Sequence, residues 1–320
     1  MLKNHPKGLA VLFFTEMWER FGYYLMLGIF FLYMTDTATG GLGLSRESAA
    51  DILGTYLALV YLTPFIGGLL ADRILGYRLS IMIGGALMAA GYLGLAIPGD
   101  TAFWTSILLI IIGNGFFKPN MSTLVGNLYS DERYKKLKDS GYNIFYMGIN
   151  IGAFICNFVA AYLRNNYGWG YAFAAAGIGM IVGLIWFAGG QKHVRDFDVL
   201  KPTQKEDMPL LHIFGIVLLP AAVFGLIGWF LPDTIFGSNS TDAFIFASLP
   251  IIIFYLSLWA RASKKDRQPI GAMLFIFGVV VIFWAIFHQN GSALTIWAES
   301  YTDRALTEEV MKALFEQPEG

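Results

Sequence analysis

Apolar residues in this chain come in blocks of about twenty, the length at which a helix crosses a hydrocarbon core of roughly 30 Å. Nine blocks can be drawn, at about 8–35, 48–71, 79–98, 102–129, 139–164, 168–190, 209–231, 241–260 and 268–298. With 56% hydrophobic and only 14% charged residues, the chain is predicted to be an all-α membrane protein, because a lipid-embedded backbone must satisfy its own hydrogen bonds. The net charge of -1 conceals a strong asymmetry along the chain and points to no acidic or basic partner; no nucleic acid is expected.

The cations sort the connecting segments. On one side lie Lys3, Lys7, Arg73, Arg78, Arg133, Lys135, Lys136, Lys138, Lys192, Arg195, Lys201, Lys205, Arg261, Lys264, Lys265 and Arg267, and on the other only Arg46, Arg164, Arg304 and Lys312. The excess of Lys and Arg marks the cytoplasmic side, so the N-terminus is predicted to be cytoplasmic and the end near residue 300 external. The single cysteine, Cys156, rules out an intrachain disulfide and reads as inert packing. Lys3 and Lys7 ahead of an apolar run resemble a signal peptide, but Glu16, Glu19 and Arg20 interrupt that run, which therefore reads as a retained first helix. Between residues 191 and 208 a polar stretch of mixed charge, with Pro202 and Pro209 near its end, reads as a linker after six helices. Three more spans and a polar tail from Glu299 to Gly320 follow, and the odd count suggests a chain that stops early.

Chemistry is carried by polar residues inside these spans. In Glu16-Met17-Trp18-Glu19-Arg20 three charges sit mid-helix, and a 3.6-residue repeat puts Glu16, Glu19, Arg20 and Tyr23 on one face. Intramembrane charge of this kind marks an ion or substrate pathway; the alternative is a buried ion pair that only locks packing. Glu19 and Arg20, being adjacent, are expected to bond each other poorly and to need partners from elsewhere or from the other carboxylate. In the fourth span Lys118 precedes Pro119 and follows Gly113-Asn114-Gly115; the spacing is not that of a phosphate loop, and the glycines suit close helix approach. Asn150 in the fifth span suits either a substrate carboxylate or amide or an interhelical bond. His288, one turn after Trp284, is either a titratable group or a packing histidine. Asp72 with Arg73 and Arg78, in the loop from Gly67 to Arg78, reads as a charge latch or as an ordinary positive loop. No metal-spaced histidines or serine–histidine pairing suggest an enzyme, and no cofactor is expected.

Together the pieces resemble the proton-coupled oligopeptide transporters of the major facilitator superfamily. The resemblance rests on Glu-x-x-Glu-Arg-Phe-x-Tyr-Tyr at 16–24, Gly-Asn-Gly-x-x-Lys-Pro-Asn at 113–120, Phe-Tyr-x-x-Ile-Asn-x-Gly at 145–152 and the loop from Gly67 to Arg78. It implies a six-helix N-terminal bundle at 1–190, the cytoplasmic linker at 191–208, two extra helices at 209–260, and at 261–320 the seventh core helix and the start of an external loop. Five further core helices would be missing, which implies a truncated chain unable to alternate access alone.

The resemblance further implies a bacterial inner-membrane symporter that takes up di- and tripeptides, with the proton as coupling ion and no obligate protein partner besides the bilayer. Glu16, Glu19, Arg20, Lys118 and His288 would couple the proton; Tyr23, Tyr24, Tyr61, Lys118, Asn150, Trp284 and His288 would contact peptide. Such transporters commonly carry an arginine where this chain has Leu27 and a carboxylate where it has His288. The paired replacement leaves no stranded charge, and His288 is expected to titrate in place of that outer gate. Alternative readings are a transporter of another small anion or amino-acid-like solute, or a receptor or sensor on a transporter fold.

Overall fold

The structure is a computed structural model that describes residues 4–200 and 209–302. The cations at positions 3, 201, 205, 304 and 312, the end of the predicted linker and most of the predicted tail lie outside the described residues. All described regular structure is helical.

All nine predicted spans are helical. The first six are α1 (Lys7–Thr35), α2 (Arg46–Leu70), α3 (Tyr77–Leu95), α4 (Asp100–Leu128), α5 (Lys138–Tyr167) and α6 (Trp169–Gly190). Two of the later three are interrupted. The seventh consists of α7 (Leu210–Ile213), a wide turn at Phe214–Leu218 and α8 (Leu219–Trp229), with Pro220 near the start of α8, where its missing N–H costs nothing. The eighth is α9 (Asn239–Arg261). The ninth, expected as one helix over 268–298, breaks into α10 (Lys264–Phe287), a tight turn at His288–Gly291 and α11 (Ala293–Ser300). Gln289-Asn290-Gly291-Ser292 explains the break, because these side chains compete for backbone bonds and glycine gains little from staying helical; Thr295 Oγ1 donates to the Asn290 carbonyl at 2.7 Å. Among the described residues, eight helical stretches are long and apolar enough to cross a membrane. The span containing α1 falls outside that set because its own Glu16, Glu19 and Arg20 depress its hydropathy.

Contacts divide the chain after Ala262. In the first unit α1 packs against α5 and α6, α4 against α2 and α3, and α3 against α6, while α8 and α9 pair and α9 touches α2. Glycine sets the closest approaches. Gly67 of α2 lies on the backbone of Gly115 in α4, and Gly84 of α3 lies on that of Gly113. These small surfaces let backbones meet where lipid supplies no hydrophobic drive.

Three carboxylates then fasten the ends of helices. Ser238 Oγ donates to Asp51 at 2.5 Å and Ser240 Oγ donates to the same oxygen, which ties the start of α9 to α2. Asp198, beyond α6, accepts from the backbone N–H groups of Tyr77 (2.7 Å) and Arg78 (3.3 Å), capping α3 after Gly76 turns the chain at φ 78°. Arg78 reaches Gln191 at 2.5 Å, in the same segment.

The third is Asp36, at the end of α1. It accepts from the Trp169 indole (2.8 Å), from Thr39 Oγ1 (2.5 Å) and from the N–H groups of Ala38, Thr39 and Gly41. Burial alone raises the pKa of such a group, yet the bonds from Thr39, Trp169 and Ala38 outweigh it and pull the carboxyl down to about 2. The folded value lies below the ordinary one, so the stabilisation is full above about pH 4 and is lost as pH falls through about 2. Asp36→Asn is expected to cost about 1–2 kcal/mol. Thermal unfolding in detergent should show the same deficit at every pH from 5 to 8.

Candidate functional site

The middle of α1 is the most polar part of the bundle interior. Glu16 and Arg20 are each 4% exposed and Glu19 is fully buried. Arg20 Nε stands 3.2 Å from Glu16 Oε1, one turn back, and Nη2 donates to Glu19 Oε1 at 2.7 Å while Nε also bonds Glu19 Oε2. The expectation that Glu19 and Arg20 bond poorly as neighbours is therefore corrected. The long guanidinium stem folds back along the helix and presents its fork to Glu19 while Nε also faces Glu16. Glu16 Oε2 has no hydrogen-bond partner among the described residues.

Aromatic rings enclose the guanidinium: its carbon lies 5.0 Å from the Tyr23 ring centre and 6.0 Å from that of Tyr24. Tyr23 is buried and meets Tyr24 edge-on at 5.3 Å. Behind the cluster, α5 closes on α1 through Gly148, against Phe13, and Gly152, against the Met17 carbonyl and Phe21 N–H. A side chain at either position would push the helices apart and admit water to the charges. The glycines of the 145–152 motif thus seal the cluster.

Lys118 comes from α4, directly before Pro119. It lies within electrostatic reach of Arg20, Glu19 and Glu16, but its ammonium sits 4.4 Å from the centre of the Tyr61 ring. It makes no ion pair among the described residues, and the pairing expected of it with the carboxylates is taken by Arg20. Tyr61 is 46% exposed, so the lysine stands where the buried cluster opens. Its height is set by α2 and α4: Thr63 Oγ1 donates to the Ile111 carbonyl at 3.0 Å, beside the Gly67–Gly115 contact. Asn150 is exposed on α5 and its amide donates to the Tyr146 carbonyl of its own helix at 3.2 Å.

In the second unit the His288 ring stacks on Trp284 at 5.3 Å with 24° between planes, and meets Phe287 edge-on at 6.0 Å. His288 therefore ends α10 at the helix break, where the sequence suggested a position deep within one span.

Three residues of the interior were not assigned a role from sequence. Asn114, one turn before Lys118, is fully buried, and neither amide atom has a partner among the described residues. The same holds for the hydroxyls of Tyr56 and Tyr92, which lie within electrostatic reach of Glu19 and Arg20. Their signal in the sequence was a polar group in an apolar helix, weaker than a charge because tyrosine also packs well.

The sequence pattern of the POT family, PTR2, matches residues 78–316. The chain is 36% identical over 302 residues to the uncharacterized transporter YclF of Bacillus subtilis (strain 168), across 92% of this chain and 61% of that protein. It is also 36% identical over 310 residues to the di-/tripeptide transporter of Lactococcus lactis subsp. lactis (strain IL1403), across 93% and 62%. A crystal structure of a POT family transporter in complex with 5-aminolevulinic acid has a TM-score of 0.81 at 30% identity, covering 97% of this chain and 65% of that one. The chain thus spans about three fifths of the length of the curated relatives it matches.

Proposed function

The chain belongs to the POT family, whose members are integral membrane transporters, and from that premise we propose that it forms the first bundle of a proton-driven symporter of di- and tripeptides. It sits in the bacterial inner membrane with a cytoplasmic N-terminus, the orientation that its sixteen-to-four division of cations favours. The observation that carries the reading is the group of two buried carboxylates and two cations, in which the buried Arg20 takes both carboxylates and the half-buried Lys118 rests on Tyr61.

With Glu16, Glu19, Arg20 and Lys118 all ionised, the group is neutral. A proton arriving on Glu16 or Glu19 leaves one positive charge in excess, and Lys118 is the cation placed nearest the open side. A peptide carboxylate restores neutrality there, bound by the ammonium and flanked by Tyr61. Release of the proton while the peptide is bound leaves one negative charge in excess and weakens the hold on the peptide. Binding of the two is linked because each removes the penalty that the other creates in a low-dielectric interior. His288 supplies a second titratable group for the outer gate. Driving one charge inward gains about 2.3 kcal/mol per 100 mV of membrane potential.

The test is uptake of labelled dialanine by the full-length protein in liposomes, with and without an inward proton gradient. Accumulation above equilibrium only with the gradient is expected. Lys118→Ala is expected to abolish accumulation, and His288→Ala to weaken its dependence on the gradient. Unaltered accumulation in Lys118→Ala would remove the lysine from the mechanism, and full proton dependence in His288→Ala would remove the histidine. No uptake by the folded wild type under a verified gradient would overturn the peptide reading.

A further inference from the structure

Away from the charged cluster, a groove of about 620 Å³ opens between the start of α1 and the end of α6. Val11, Val182, Ile185 and Trp186 wall it, and Lys7 and His193 stand at its rim. Ile185 is 67% and Trp186 47% exposed, and Phe14 holds the Trp186 ring edge-on at 5.1 Å. The rim is fixed rather than incidental: Gly8 lets the His193 carbonyl rest against the start of α1, where a side chain would collide with it at 2.8 Å. Lys7 is exposed and makes no ion pair among the described residues, and Lys192 and Arg195 flank His193. The volume falls within the roughly 300–1,000 Å³ typical of ligand clefts.

We propose that this groove binds an anionic glycerophospholipid of the cytoplasmic leaflet, its acyl chain against Val182, Ile185 and Trp186 and its phosphate at Lys7 and His193. The walls belong to membrane-spanning helices and offer mostly apolar surface, so a free anion or a peptide leaves them uncovered. The rim is cationic and supplies no carboxylate, so a zwitterionic lipid satisfies it less well than an anionic one. The assignment rests on the cytoplasmic placement of the N-terminus and not on transport.

The test uses the full-length protein in dioleoylphosphatidylcholine vesicles with rising fractions of dibrominated phosphatidylglycerol or, in parallel, dibrominated phosphatidylcholine. The Trp186 contribution to fluorescence is the difference between wild type and Trp186→Phe. Half-maximal quenching of that contribution is expected at about fivefold lower phosphatidylglycerol than phosphatidylcholine, the preference one lysine supplies near a membrane surface. Lys7→Gln should bring the two lipids together while both still quench. At Gly189, which also lines the groove, an added Cβ meets nothing within 4 Å. Gly189→Leu should therefore fill the space without disturbing the fold and reduce quenching by either lipid. Equal quenching by both lipids in the wild type, an undiminished preference in Lys7→Gln, or no quenching of the Trp186 contribution by either lipid would each overturn the assignment.

Discussion

Arg20→Leu is expected to destabilise the first bundle by about 3–5 kcal/mol, the cost of leaving a buried charge without its partner. The guanidinium is the direct partner of two carboxylates that are almost completely buried, and leucine fills much of the space without replacing any bond. Glu16 and Glu19 must then either stay charged against each other or take up protons, and both outcomes cost folding free energy. The size of the loss reflects the stranded acids more than the value of the ion pairs themselves. A triple variant, Arg20→Leu with Glu16→Gln and Glu19→Gln, should recover most of the stability, because no carboxylate is left buried without its partner. Thermal unfolding in detergent, followed by size-exclusion chromatography, distinguishes the cases. A single Arg20→Leu variant as stable as wild type would mean that the carboxylates are solvated in the folded protein.

Gly67→Val is expected to abolish the folded bundle, a loss of about 4 kcal/mol or more. A Cβ at position 67 would overlap the Gly115 carbonyl of α4 and crowd the Phe116 N–H at 2.9 Å, and both obstacles are backbone. Neither can rotate away as a side chain does, so α2 and α4 must separate and the Thr63–Ile111 bond must break. Gly68→Ala is the matching control: its Cβ would meet Pro119 at 3.6 Å, an ordinary contact. Yield of monodisperse protein should collapse for the first substitution and remain near wild type for the second. Equal behaviour of the two would refute the backbone contact.

The helical spans were legible because a membrane imposes one length and one composition on all of them. The charged face of α1 was legible for a related reason: Glu16 and Arg20 are four residues apart, and a helix translates that spacing directly into contact. Harder to foresee was the bond between the adjacent Glu19 and Arg20, which depends on how a long side chain folds back once lipid and aromatic rings leave it no water. The break at His288 was written in Gln289-Asn290-Gly291-Ser292 but hidden by the apolar residues on either side. Asp51 and Asp198 carried no local signal, and Asp36 showed only the turn chemistry of Thr39 and Gly41 that follow it. Each serves donors brought to it by tertiary packing, Trp169, Ser238 and Tyr77 among them, and spacing along a chain cannot specify a partner more than a hundred residues away.

Asp51 holds the serines that begin α9 to the helix at its side, and in mechanical terms it is a rivet. The pair formed by α8 and α9 is carried by the first bundle as ballast, so a turn of that bundle moves the pair with it. Only Ala262 and Ser263 separate the end of α9 from the start of α10. The segment just after α6 is fastened in the same way, to the start of α3 through Gln191 and Asp198, so the bundle carries a second rivet at that end.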